Sequence, residues 1–288
     1  MSLSSIASAG FGLVPQQIVS GGGGGFQPVK YLFIDAAYLR ERCNEFMKAV
    51  FGVEAEIEWG LVKRSFYSLK AFYYDCLDDL PRPGEDESAL KARITEQQER
   101  FYAIQSIPGF HVRFGTLTGS RPKRLRQKEV DVQLAVDMLT HAFYKNMQQA
   151  TLIAGDLDFR PVVTSLIQLG TYVEVACKPE ASAQNLLWAA DQIFELTVDT
   201  TYPWNSGTFR ERNILPARAA GVGLPMGSLL KRQGMAGNCP IKAYSHVKGY
   251  IVVIERPTGK QNLHHADLAV IDGYLKATVG EPKWREPG

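Results

Sequence analysis

Four aspartates carry the chemistry most plainly written in this chain. Asp35 closes the apolar run Tyr31–Ile34, and Asp131 opens a helical stretch in Lys128-Glu129-Val130-Asp131-Val132. Asp156 and Asp158 follow another apolar run in Gly155-Asp156-Leu157-Asp158-Phe159. Carboxylates gathered in one place repel each other and raise each other's pKa. A hard divalent cation relieves that repulsion, and Mg²⁺ is typically held by one or two carboxylates with waters completing its shell. Such an ion lowers the pKa of a bound water and neutralises charge developing on a phosphate. The expected chemistry is therefore phosphodiester hydrolysis, with Mg²⁺ or Mn²⁺ as cofactor and Asp35, Asp131, Asp156 and Asp158 as catalytic metal ligands. Asp35 is the hardest to dismiss as packing, because an acid ending a buried strand is costly without a partner. Asp158 would also suit a helix N-cap ahead of Pro161, and Asp131 would favour a helix dipole. Asp137 lies six residues after Asp131, about 120° around a helix. It stands as a reserve ligand, an outer support or a salt-bridge partner.

A basic segment precedes the Asp131 helix: Arg121, Lys123, Arg124, Arg126 and Lys128 fall within eight residues. As a loop it would grip phosphates beside the scissile bond, or simply balance the nearby acids in solvent. His264-His265 has no acid or cysteine at metal spacing and reads as surface. Trp188, Trp204 and Trp284 could stack on bases, with core or linker packing the preferred reading for Trp188. No Gly-x-x-x-x-Gly-Lys-Ser/Thr, Gly-x-Gly-x-x-Gly or Gly-x-Ser-x-Gly motif occurs.

The acids need elements to position them. Residues 1–29, with Gly21–Gly25, read as a flexible leader. Strands are expected at Tyr31–Ile34, Ala71–Cys76, His111–Leu117, Thr151–Ala154, Tyr172–Ala176 and Ile193–Val198. Helices are expected near Ala36–Phe51, Glu85–Gln105, Val130–Phe143, Phe159–Leu169 (closed by Gly170) and Ala183–Ala190. Alternating strands and helices imply right-handed crossovers and a mainly parallel sheet covered on both faces. Ligands then bind beyond the carboxyl ends of the strands, where Asp35 and Asp156 sit. Residues 201–288 read as a Gly/Pro-rich linker and a small basic C-terminal region, with one strand-like piece at Tyr250–Ile254 and a helix near Ala266–Lys276.

From Lys30 to Thr197 the sequence resembles the NYN-domain family, in its LabA-like branch, within the PIN-like nuclease superfamily. The resemblance rests on Phe33-Ile34-Asp35, Lys128-Glu129-Val130-Asp131-Val132, Asp137-Met138-Leu139 and Gly155-Asp156-Leu157-Asp158-Phe159, in that order. Leu169–Val175 and Ala190-Asp191 also fit. It implies a PIN-like Rossmannoid three-layer α/β domain over residues 30–200, and a metal-dependent ribonuclease with Asp35, Asp131, Asp156 and Asp158 as its acidic cluster. Two positions depart from the pattern: many relatives carry Asn where Tyr38 stands and Ser where Ala154 stands. Those departures keep open a regulatory nucleic-acid-binding protein that retains the fold without efficient chemistry. A haloacid-dehalogenase-type phosphatase would need Asp-x-Asp after the first strand, where this chain has Asp35-Ala36-Ala37.

The net charge of +2 conceals an asymmetry. From Thr201 onward twelve Lys/Arg face six Asp/Glu, giving +6, while residues 1–200 carry −4. An acidic catalytic-looking half joined to a basic tail suits a polyanionic partner. RNA is the expected partner, single-stranded or structured, with DNA and a homo-oligomer left open. Four scattered cysteines without a Cys-x-x-Cys pair, no basic n-region and no long apolar run favour a cytoplasmic setting.

Overall fold

Strand β1 (Lys30–Asp35) buries its four central side chains. A strand buries both of its faces only when layers cover both sides of its sheet. Along β1 the alternation divides them: Leu32 and Ile34 enter one core, Tyr31 and Phe33 the other. A computed structural model describes residues 27–118, 126–128, 130–220 and 223–287 of this chain. Among them, β1 joins β2 (Lys70–Leu77), β3 (Phe110–Thr118), β4 (Arg126–Lys128), β5 (Gln149–Ile153), β6 (Tyr172–Cys177) and β7 (Gln192–Glu195) in one sheet. The spatial order is β4-β3-β2-β1-β5-β6-β7. All neighbouring pairs run parallel except β4, which lies antiparallel on β3.

On one side of the sheet lie α1 (Ala36–Phe51), α2 (Trp59–Ser65) and α3 (Glu87–Gln105), seating Leu39, Phe46, Val62, Phe101 and Ile104 in the first core. On the other lie α4 (Val130–Phe143), α5 (Arg160–Gln168) and α6 (Gln184–Leu187), which seat Leu134, Met138, Val163 and Leu186 in the second. This is the three-layer α/β arrangement expected from the strand–helix alternation, in the PIN-like form that the resemblance implies. The chain leaves β1 toward one face through α1, and leaves β5 toward the other through α5. Neighbouring strands whose connections diverge in this way open a crevice at their carboxyl ends. No helix among the described residues is long and apolar enough to cross a membrane.

Two expectations need correction, and one element was not anticipated. Helix α2 buries Val62 alone, so it leaves no apolar stripe for a sequence to display. Arg126–Lys128 form an edge strand rather than part of a loop. The largest difference follows Val198. There α7 (Val198–Thr201) and α8 (Gly207–Arg212) seat Val198, Trp204 and Phe209 in the first core. In place of a linker with one strand comes a second sheet of β8 (Ala217–Ala220), β9 (Leu229–Ala236), β10 (Cys239–His246), β11 (Gly249–Arg256), β12 (Gly259–His265) and β13 (Pro282–Arg285). It is antiparallel, in the order β13-β9-β10-β11-β12-β8. Helix α9 (Leu268–Thr278) lies between this sheet and α1, so Ile241, Val252, Leu263, Ile271 and Leu275 continue the first core without a break.

Gly273 shows how close that seating is. A Cβ at this position would collide with the Ala49 carbonyl and lie 2.8 Å from Val50 Cα, both backbone atoms of α1. Glycine inside a helix costs about 1 kcal/mol relative to alanine, and here it lets two backbones touch. Gly273→Leu is expected to destabilise the whole protein by about 2–3 kcal/mol through overpacking, read as a lower midpoint in a single thermal transition. A midpoint at or above wild type would show that α9 is not seated on α1.

Candidate metal and nucleotide site

Asp35 is both the last residue of β1 and the N-cap of α1, where its carboxylate accepts the Tyr38 backbone N–H at 3.0 Å. Its carboxyl is pushed up from 3.8 to about 6, mainly by burial, with the negative charges of Asp131 and Asp75 adding to the effect. Asp131 stands in the first turn of α4 and is also raised, first by crowding from surrounding protein atoms, then by Asp156 and Asp158. Asp156 follows β5, and its carboxylate accepts the Asp158 N–H at 3.1 Å to cap the 3₁₀ turn Leu157–Phe159. The cap expected from Asp158 is not made: α5 begins after Phe159 without a side-chain cap, and Asp156 caps the 3₁₀ turn ahead of it. Asp158 is exposed beside it.

The four sequence-predicted acids thus share one end of the sheet, at the crevice between β1 and β5. Asp131 is the common neighbour, since its charge reaches Asp35 and it feels both Asp156 and Asp158. They do not form a closed cage. Among the described residues no three His, Cys, Asp or Glu side chains stand close enough to enclose a metal ion. The donor set still fits a hard dication. It is all carboxylate oxygen, one member is held partly buried against its own ionisation, and Mg²⁺ asks for only one or two such ligands. Asp137 lies elsewhere. It accepts hydrogen bonds from the Tyr74 hydroxyl (2.8 Å) and Arg113 Nε (3.2 Å), tying α4 to β2 and β3 as a salt-bridge partner.

Of the basic segment, Arg121, Lys123 and Arg124 lie outside the described residues. The backbones of Arg126 and Lys128 are placed in β4, opposite Thr118 and Thr116. His264 faces away from α9 on the second sheet, and the His265 ring accepts the Asp267 N–H at 3.0 Å. Trp188, expected to pack, is 75% exposed, whereas Trp204 is buried with its Nε1 donating to Ser65 Oγ at 2.8 Å. Trp284 packs against α9 and donates to Asp272 at 3.0 Å.

Tyr38 and Ala154, the two departures, are both accounted for by packing. The Tyr38 hydroxyl accepts the Lys178 N–H and bonds Ser182 Oγ, each at 3.0 Å, linking α1 to the chain just after β6. Its ring fills the space over Gly155, where a Cβ would come within 2.6 Å of it. Ala154 is fully buried. Neither position offers a free polar atom to the crevice.

Sequence reasoning missed Asp75. It lies near the carboxyl end of β2, only 5% exposed, where Arg40 of α1 grips it through two nitrogens at 2.5 and 3.0 Å. The Tyr73 hydroxyl (2.9 Å) and the Cys76 N–H (2.9 Å) complete its hydrogen bonds. The rule that singled out Asp35, an acid at the end of a buried strand, would also have found Asp75.

Residues 31–197 match the model of the NYN domain family. No curated protein matches the chain. Among solved structures the chain is similar to a protein of unknown function from Vibrio parahaemolyticus, at 16% identity over 60% of this chain and 96% of that one, with a TM-score of 0.42.

Proposed function

The chain belongs to the NYN-domain family, whose fold is nuclease-like, and from that premise we propose that it is a metal-dependent ribonuclease acting through Asp35, Asp131, Asp156 and Asp158. One observation carries the reading: a partly buried carboxyl at the crevice, Asp35, is pushed up to about 6 by its burial, with the charge of Asp131 beside it. Such a site is relieved by a cation. Bound Mg²⁺ or Mn²⁺ would supply an activated water and neutralise charge on the phosphate. In the hydrolysis the water oxygen bonds to phosphorus, the ester P–O bond breaks, and the leaving oxygen gains a proton. Asp35 is oriented for this work by the Tyr38 N–H, and Asp156 by the Asp158 N–H. Arg121, Lys123, Arg124, Arg126 and Lys128, just upstream of Asp131, would hold flanking phosphates of the RNA. The LabA-like branch, a cytoplasmic setting and self-association belong to the same proposal.

A second reading, nucleic-acid binding without cleavage, draws support from Tyr38 and Ala154, which bring no free polar atom to the acids. Labelled single-stranded RNA separates the two. Cleavage should require Mn²⁺ or Mg²⁺, stop with EDTA, and fall in Asp156→Asn by more than the roughly 10–100-fold lost when a residue behind a ligand is removed. Cleavage by Asp156→Asn at the wild-type rate would remove that residue from the site. RNA retained uncut, with a salt-dependent affinity, would establish the second reading.

A further inference from the structure

Beside the acidic crevice, on the α1 and α3 side of the sheet, lies an open cavity of about 520 Å³. Its volume falls within the roughly 300–1,000 Å³ of small-molecule sites. Arg40, Trp59, Tyr73, Asp75, Asp78 and Arg100 give it its chemistry. Trp59 is half-buried, with its ring edge-on to Tyr73 at 4.7 Å between centroids. The cavity's carboxylates are already matched: Asp75 by Arg40, and Asp78 by Arg82 and Arg93. Among the described residues that leaves the exposed guanidinium of Arg100, close enough to act on the Tyr73 hydroxyl, as surplus positive charge. An aromatic surface beside an uncommitted guanidinium is what a nucleotide asks of a protein: a plane for the base and a cation for the phosphate.

The cavity also adjoins the acids. The Asp35 carboxyl feels the charge of Asp75, and Arg40 feels that of Asp35. A strand with one phosphate at Asp35 would meet Arg40 next, and Arg40 neutralises the Asp75 charge that would otherwise repel it.

We infer that this cavity is a nucleotide subsite, taking one nucleotide of the bound RNA strand next to the phosphate held at Asp35, with the base on Trp59 and the phosphate on Arg100. The inference rests on the proposed ribonuclease function for its substrate, but its test is binding, carried out in EDTA where nothing is cut. The probe is a short fluorescein-labelled single-stranded RNA followed by anisotropy, with adenosine monophosphate and inorganic phosphate as competitors. Trp59→Leu should raise the Kd about tenfold, the loss of one stacked base, while Trp59→Phe, which keeps a ring, should stay near wild type. Arg100→Glu, a change on the surface, should raise the Kd and lower the slope of log K against log salt by about 0.7 for the lost phosphate contact. Adenosine monophosphate should compete better than phosphate alone. Wild-type affinity in both Trp59→Leu and Arg100→Glu would overturn the subsite, as would a wild-type protein that binds no RNA. The two ideas fail separately. RNA cleavage lost in Asp35→Asn but indifferent to Trp59 and Arg100 sinks the subsite alone. RNA binding that depends on Trp59 and Arg100, without any metal-dependent cleavage, supports the subsite and sinks the ribonuclease.

Discussion

In EDTA at neutral pH, Asp35→Asn is expected to melt several degrees above the wild-type protein while losing metal-dependent cleavage. Asparagine keeps the cap, since its side-chain oxygen can still accept the Tyr38 N–H, but it carries no charge to bury. The wild-type carboxyl is pushed up from 3.8 to about 6 by the fold, so ionising it is harder in the folded chain than in the unfolded one. That difference corresponds to an upper limit of about 3 kcal/mol at pH 7, or roughly 5–10 °C in a protein of this size. The sign is fixed by linkage. Below about pH 3.8 Asp35 is protonated in both states and the two proteins should melt alike. The gap should open as pH climbs from 3.8 to about 6 and stay open above. Mn²⁺ should then raise the wild-type midpoint and leave Asp35→Asn unmoved, because a ligand stabilises only the state that binds it. Equal melting points at pH 7 would mean that Asp35 is not held against its ionisation. An equal response to Mn²⁺ would mean that it is not a ligand.

Arg40→Met is expected to have the opposite effect. It strips Asp75, 5% exposed, of the one cation paired with it among the described residues. Breaking a fully buried pair from one side typically costs about 3–5 kcal/mol, because the remaining charge is uncompensated; the Arg40 side chain is 39% exposed, so the loss here should fall below that range. Replacing both partners avoids that penalty, so Arg40→Met/Asp75→Leu should regain most of the lost stability. Urea denaturation of the four proteins gives the coupling directly. A double variant no more stable than Arg40→Met would show that the loss arises from packing of the Arg40 stem rather than from the stranded charge.

The legible and hidden parts of this chain divide on physical grounds. Asp35 and Asp156 could be read because each ends a short apolar run, and the run and its terminator are contiguous in sequence. Helix α4 could be read because Leu134 and Met138 repeat at a helical period. Asp75 also follows an apolar run and could have been picked out as Asp35 was; its pairing with Arg40, 35 residues earlier, was hidden, because it exists only once α1 crosses β2. Strand β4 was hidden by its basic composition, which reads as a solvated loop; its order comes from backbone pairing with β3. The second sheet was hidden differently. Strand β9 leaves most of its residues exposed, so it buries too little to announce itself, and its order comes from neighbours on both sides. That Asp131 reaches Asp35 and the Asp156 turn could be anticipated only from topology. No spacing in the sequence says how near they come.

The bridge from α1 to α9 has a consequence for how the protein is made. Phe51 ends α1, yet Leu268 opens α9. At about 5–20 residues per second, a ribosome needs roughly 10–40 s to travel from one to the other. Through that interval the nascent chain holds a half-finished first core, and contacts this remote in sequence are slow to close. A transcript cut short, or a message with an early stop, would yield a chain whose NYN half cannot seal its apolar side. Such a product offers proteases and chaperones an open target. Only a polypeptide translated past α9 can shut the core beneath Asp35.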